Sequence, residues 1–151
     1  MKNKKIISYI QLFFRVVLGS LLLIAGYLKL QDNAALFESV AYITWIPIGM
    51  KSLVIDLLPW IEIVVGGLLI INLGGTVVKP VASLIYFSFF IFAIYGLSAG
   101  IEGDCGCFGD PESGSILAAV LGSEFGWKMV ARNGLFLAMA GFLFWKPGDV
   151  K

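Results

Sequence analysis

Long apolar stretches separated by short polar segments dominate the chain. Apolar residues run almost without interruption over residues 6–30, 53–73, 79–99 and 127–145. At about 1.5 Å per residue, each stretch is long enough for a helix that crosses a bilayer. The pattern therefore predicts an all-α, polytopic membrane protein, a single domain over residues 1–151 that forms a bundle of four transmembrane helices.

Polar segments connect the predicted spans. Residues 34–43 are expected to form a short helix at the membrane surface, and residues 74–76 a tight turn. Pro59 is expected to interrupt the second span early, and Pro80 to open the third. The last connection, residues 101–126, is the longest, and it contains five acidic side chains and both cysteines of the chain. Most of the polar chemistry outside the spans therefore lies in this loop.

Lysines are distributed unequally between the two ends of the predicted bundle. The end that holds both termini carries Lys2, Lys4, Lys5, Lys79, Lys146 and Lys151, whereas the opposite end carries mainly Lys51. The positive-inside rule then places both termini in the cytoplasm of a bacterial inner membrane. The cysteine loop faces outward, into the periplasm or the extracellular space, where an oxidising environment allows disulfides to persist.

Composition limits the chemistry that the chain can perform. It is 59% hydrophobic and 14% charged, which is far more apolar than a soluble domain, and its net charge of +1 gives no indication of nucleic acid binding. The sequence contains no histidine, so the usual general base and the usual metal and haem ligand is missing. Catalysis would have to use thiols, carboxylates, cations or a bound cofactor.

The two cysteines are separated by a single glycine. A disulfide needs Cα atoms about 4.4–6.8 Å apart, so a bridge between Cys105 and Cys107 requires a bend, which Gly106 permits. The ring would be small and strained, and strained, exposed disulfides tend to be the labile, catalytic ones. A bridge this short would also add little stability. We therefore interpret Cys105 and Cys107 as redox-active catalytic residues.

Ionisable side chains within membrane spans are costly and usually functional. By depth, Lys29, Glu62 and Arg132 are expected near the outer surface under the cysteine loop, with Asn133 beside Arg132. Arg15 is expected closer to the middle of the membrane, with a polar partner in the bundle. We interpret these five residues as a supporting polar cluster whose cations favour the thiolate. The alternative for Lys29 and Arg132 is that they extend towards lipid headgroups.

A quinone is a second expected participant. A cation of the cluster would hydrogen-bond a quinone carbonyl while Glu62 relays protons, and Phe108 would line the pocket. Trp60, Glu62, Phe108 and Arg132 form the candidate quinone site, although Trp60 is also typical of an interface anchor.

Three motifs together resemble a known family. They are Arg15…Gly26…Lys29…Asp32, Leu58-Pro59…Glu62, and Asp104-Cys105-Gly106-Cys107-Phe108-Gly109. The chain resembles the methylamine utilisation protein MauE family, which is similar to the DoxX-like four-helix membrane proteins. The resemblance covers nearly the whole chain. It implies a redox role for Cys105 and Cys107, a periplasmic thioredoxin-like partner, and a part in the disulfide maturation of exported proteins.

The predicted architecture is also similar to vitamin K epoxide reductase-like and DsbB-like enzymes, in which a helical bundle couples a disulfide to a quinone. Those enzymes carry a second cysteine pair, whereas this chain has only one. A partner protein must therefore exchange thiols directly with Cys105 and Cys107. The first hypothesis is a membrane thiol–disulfide oxidoreductase that links a thioredoxin-like partner to a quinone.

Two alternatives belong to other functional classes. Two thiolates suit Cu(I), although the chain lacks the relay of methionine or histidine ligands that a copper path needs. A structural zinc site needs four ligands, which this pair alone does not supply, and no metal site is predicted. The other alternative is a non-catalytic membrane assembly factor whose acidic loop docks a basic periplasmic partner.

Overall fold

Helices account for most of the chain in the computed structural model, which describes residues 2–102 and 124–145. Within these residues the helices are α1 (Lys2–Gln31), α2 (Ala34–Ala41), α3 (Ile48–Ile71), α4 (Gly75–Ser98) and α5 (Trp127–Phe142). Among them, α1, α3 and α4 are long and apolar enough to cross a membrane. The described part of the chain is therefore a helical assembly of the kind expected for a multi-pass membrane protein.

The outer surface of this assembly is apolar. Large hydrophobic side chains are exposed along α3 and α4, among them Leu57, Ile61, Val64, Leu84, Phe87 and Ile91. Soluble monomers rarely expose apolar surface on this scale, whereas lipid tails solvate it readily. The exposed side chains thus mark the face that contacts the bilayer.

The helix expected to form the fourth span is the shortest of the four. At 16 residues, α5 is about 24 Å long, whereas the hydrocarbon core of a bilayer is about 30 Å thick. Residues 143 and 144 continue it as a turn. The first three predicted spans thus coincide with helices of spanning length, and the crossing of the membrane by α5 stays a prediction.

Neither proline ends or opens a helix. The expected early break at Pro59 is wrong, because α3 runs from Ile48 to Ile71 with Pro59 inside it. The expectation for Pro80 is also wrong, because α4 begins at Gly75 and Pro80 lies within it. Each proline removes one backbone hydrogen bond, and packing against neighbouring helices makes that loss tolerable in a membrane bundle.

The turn between α3 and α4 lies at residues 72–74, slightly earlier than the predicted position at 74–76. Asn72 and Gly74 both have left-handed backbone conformations, with φ of 58° and 66°. Asparagine and glycine tolerate this conformation better than other residues. Gly75 is free to begin α4 because the reversal is already complete at Gly74.

The helices pack as two pairs, α1 with α3 and α4 with α5. Their buried apolar core contains Leu18, Leu22, Leu69, Ala82, Ala93, Met129, Phe136 and Ala140. The buried Tyr86 of α4 donates a hydrogen bond of 2.7 Å to the carbonyl oxygen of Leu18 in α1. This bond connects the two pairs near the centre of the bundle.

Glycines bring α1 and α3 into backbone contact. A Cβ atom added to Gly66 would lie 2.6 Å from the carbonyl oxygen of Gly19, and one added to Gly19 would lie 2.8 Å from that of Gly66. A Cβ atom on Gly26 would lie 2.6 Å from the carbonyl oxygen of Pro59. Small residues permit this approach, which fixes α1 and α3 in antiparallel register.

Candidate functional site

A buried ion pair joins α1 and α3. The Lys29 Nζ atom lies 2.8 Å and 2.9 Å from the two carboxylate oxygens of Glu62. The two side chains are 1% and 0% exposed. The sequence left open whether Lys29 extends to the headgroups, and the structure instead has its side chain buried against Glu62.

The glycine contact explains why these two side chains meet. Lys29 lies one turn after Gly26, and Glu62 lies one turn after Pro59, which touches Gly26. Side chains on a helix lean towards its N-terminus. Because α1 and α3 are antiparallel, Lys29 and Glu62 lean towards each other and their charged groups converge.

The second helix pair covers the ion pair. The Phe89 ring of α4 lies 5.3 Å from the Lys29 Nζ atom, within the range of a cation–π contact. The buried Asn133 of α5 donates a hydrogen bond of 3.4 Å to the carbonyl oxygen of Phe89. Four helices therefore enclose or support one pair of charges of opposite sign.

The remaining members of the predicted polar cluster lie in two places. Arg132 is partly buried on α5, next to Asn133. Arg15 lies about four turns, or about 21 Å, from Lys29 along α1, and it lines a separate cavity with Asn72 and Lys79. The structure thus gathers Lys29, Glu62 and Asn133 around Phe89 and places Arg15 at the level of the α3–α4 turn.

The candidate quinone residues do not all face one site. Trp60 is 57% exposed, whereas Glu62 is completely buried. Trp60 and Glu62 are two positions apart, which corresponds to a rotation of about 200° around the helix axis, so their side chains lie on nearly opposite faces of α3. Phe108, Cys105 and Cys107 lie outside the residues that the structure describes. Trp60 has the exposure expected of a lipid-facing anchor.

A large apolar cavity lies beside Lys29. It has a volume of about 650 Å³ and is bounded by α2, the connection after it, α3 and α4. Its aromatic lining residues are Trp45, Phe87, Phe89, Phe92 and Tyr95. Sequence reasoning missed this cavity. The available signal was the recurrence of aromatic residues at positions 89, 92 and 95, a spacing that places them along one face of a helix.

Described residues before and after positions 103–123 pack against each other. The Phe125 ring occupies the space beside Gly96, where an added Cβ atom would collide with it. The Phe92 and Phe125 rings pack edge to face at 5.3 Å. This contact of Phe125 with Gly96 lies about two turns of α4, or about 10 Å, beyond Phe89, which contacts Lys29 of the ion pair.

Comparison with known proteins identifies the family. A family model described as methylamine utilisation protein MauE matches residues 7–146, which is nearly the whole chain. The chain belongs to the MauE family. Searches of curated proteins and of solved structures give no match for this MauE protein. The resemblance noted from its sequence motifs is thus confirmed.

Proposed function

We propose that this MauE protein is a membrane thiol–disulfide oxidoreductase. In this proposal Cys105 and Cys107 exchange electrons with a periplasmic thioredoxin-like partner and pass them to a quinone in the membrane. The observation that carries the proposal is the buried Lys29–Glu62 pair, which lies about 10 Å along α4 from the contact between the described residues Gly96 and Phe125. Charges held inside an apolar bundle are usually functional.

The proposed reaction has two steps. A thiolate of the partner attacks one sulfur of the Cys105–Cys107 disulfide to form a mixed disulfide, and the partner's second thiol resolves it. The partner leaves oxidised, and Cys105 and Cys107 become thiols. The dithiol then gives two electrons and two protons to a quinone, which becomes a quinol as the disulfide forms again.

The ion pair suits the proton part of this reaction. A buried salt bridge is often no more stabilising than apolar residues of similar size, so stability alone is a weak reason to retain one. Glu62 and Lys29 together supply a carboxylate and an ammonium group within a low-dielectric interior. We assign them the roles of holding and passing protons while the quinone is reduced.

The aromatic cavity beside Lys29 is the proposed quinone site, in place of the set that includes Trp60. Ligand cavities commonly have volumes of about 300–1,000 Å³ and mostly apolar walls with a few polar groups. This cavity fits that description, with Lys29, Lys51 and Ser88 as its hydrophilic lining residues among the described residues. Exposed Leu84 and Ile91 lie at its lipid-facing side, where a membrane-borne molecule would enter.

Trapping of the mixed disulfide tests the first step. The purified protein in its disulfide form, and its Cys105→Ser and Cys107→Ser variants, are incubated with a reduced thioredoxin-fold protein whose second cysteine is replaced by serine, and products are separated without reductant. We expect the wild type to accumulate the mixed disulfide, because the partner lacks the thiol that resolves it, and we expect neither serine variant to form it or to turn over with the intact partner, because neither has a disulfide to attack. Unchanged turnover in both variants would eliminate the proposal.

Two other results favour the alternative functions. Purified protein that contains copper and does not react with a thioredoxin-fold dithiol would favour Cu(I) binding. A reduction potential below about −300 mV is typical of structural bridges and would favour a non-catalytic assembly factor. Among the described residues, no group of three or more acidic, cysteine or histidine side chains is placed to hold a metal ion.

A further inference from the structure

A second cavity, which is polar, lies at the end of the bundle that holds the α3–α4 turn. It has a volume of about 330 Å³ and lies between the first half of α1, the α3–α4 turn and the end of α5. Its hydrophilic lining residues are Ser8, Tyr9, Gln11, Arg15, Asn72 and Lys79. The described lining thus contains two cations and several hydrogen-bonding groups, and it contains no acid.

The position of Arg15 makes this cavity unusual. The contact of Gly19 with Gly66 aligns α1 with the last turns of α3, so Arg15 lies at the depth of the turn at residues 72–74. The Arg15 Nε atom is buried and has no hydrogen-bond partner among the described residues. An orphaned guanidinium donor inside a cationic cavity is costly unless a ligand accepts its hydrogen bond.

The side chains around Arg15 lie close to the start of α4 and the end of α5. The Lys79 Cε atom and the Asn72 Oδ1 atom each lie 3.7 Å from the Cβ position of Gly75, which places both side chains over the start of α4. The Gln11 amide donates hydrogen bonds to the carbonyl oxygens of Phe142 and Trp145, at 3.3 Å and 2.7 Å. These bonds hold the end of α5 against α1, and this part of α5 contributes Leu143 to the lining of the cavity.

We propose that this cavity binds the phosphate group of an anionic phospholipid. The α3–α4 turn marks one boundary of the bundle, and phospholipid phosphates lie at that depth in a bilayer. Basic pockets between transmembrane helices are suited to anionic headgroups, and Arg15 offers the planar donors that match phosphate oxygens. Apolar Leu12 and Leu143, which also line the cavity, would contact the adjoining part of the lipid.

Native mass spectrometry of the full-length protein in detergent tests the proposal. Phosphatidylglycerol and phosphatidylcholine are added in separate titrations, and inorganic phosphate is added in a third. We expect retention of phosphatidylglycerol with about fivefold weaker binding for each of Arg15→Gln and Lys79→Gln, because each removes one cation near the phosphate. The control Lys5→Gln removes the same charge from an exposed position on α1 and should bind as the wild type does.

A thermal shift supplies the second readout. Phosphatidylglycerol should raise the melting temperature of the wild type and of Lys5→Gln, and should raise that of Lys79→Gln less, even if Arg15→Gln fails to fold.

In the mass spectrometry experiment, equal retention of phosphatidylglycerol by the wild type and both cavity variants would overturn the proposal. Retention of phosphatidylcholine as strong as that of phosphatidylglycerol, or binding of inorganic phosphate alone, would overturn the assignment to an anionic lipid.

Discussion

At the scale of single residues, two ionisable side chains in apolar stretches of this MauE protein form a buried ion pair, Lys29 with Glu62. Lys29 and Glu62 interrupt apolar stretches, so the sequence alone singles them out as residues that need an explanation. The expected depths of Lys29 and Glu62 in the membrane did not predict that the two side chains pair directly, because pairing depends on which faces of α1 and α3 are in contact. The same limit applies to Arg15, whose level is set by the contact of Gly19 with Gly66.

Removing one member of the ion pair should lower the free energy of unfolding more than removing both members does. In Lys29→Met, the Glu62 carboxylate stays buried without its ammonium partner, and we expect a loss of about 3–5 kcal/mol in the free energy of unfolding. The double variant Lys29→Met/Glu62→Leu leaves no buried charge at this position and should be close to the wild type in stability. Thermal unfolding in detergent, followed by circular dichroism, measures both. A double variant less stable than the single one would contradict this account of the pair.

At the scale of helices, the contact between α1 and α3 positions the site. Hydropathy predicted where the long helices lie, because a bilayer of fixed thickness imposes their length. It placed the start of the second span at residue 53, whereas α3 begins at Ile48, since the polar residues of its first turns resemble a loop. The glycines of the interface were visible in the sequence, but their partners on α3 became evident only from the packing.

Two adjacent glycines of α3 should respond differently to a methyl group. A Cβ atom on Gly66 would lie 2.6 Å from the Gly19 carbonyl oxygen, so Gly66→Ala must push α1 and α3 apart. Overpacking of this kind typically costs about 1–3 kcal/mol. Gly67 has no heavy atom within 4 Å of its Cβ position, so Gly67→Ala is the matched control and should retain the wild-type melting temperature. Equal melting temperatures for the two variants would refute the close contact.

At the scale of the whole molecule, the ion pair and the polar cavity around Arg15 lie towards opposite ends of one bundle. The sequence predicted an all-helical membrane protein, its family and, to within two residues, the C-terminal ends of α1, α3 and α4. It could not predict the cavity beside Lys29, because residues from α2, α3 and α4 form it jointly. The C-terminal end of α4 lies at one end of the bundle, and the α3–α4 turn lies at the other.

The proposed orientation can be tested with a matched pair of single cysteines. In a chain that carries Cys105→Ser and Cys107→Ser, Glu102→Cys reports on the outer end and Thr76→Cys on the α3–α4 turn, and both positions are exposed. A membrane-impermeant maleimide added to intact cells should label Glu102→Cys at once and Thr76→Cys only after permeabilisation, because the lysine distribution places the turn inside. The opposite labelling order would place the cysteine segment in the cytoplasm.

The most direct test of the central claim is quinone reduction by the reconstituted protein. Liposomes that contain the protein and a membrane quinone receive a thioredoxin-fold dithiol, and the ultraviolet absorbance of the quinone is followed. The account predicts that the wild type converts quinone to quinol with one partner disulfide formed per quinol, and that Cys105→Ser and Cys107→Ser each abolish the conversion. Quinol formation at the wild-type rate in either serine variant would contradict electron transfer through Cys105 and Cys107.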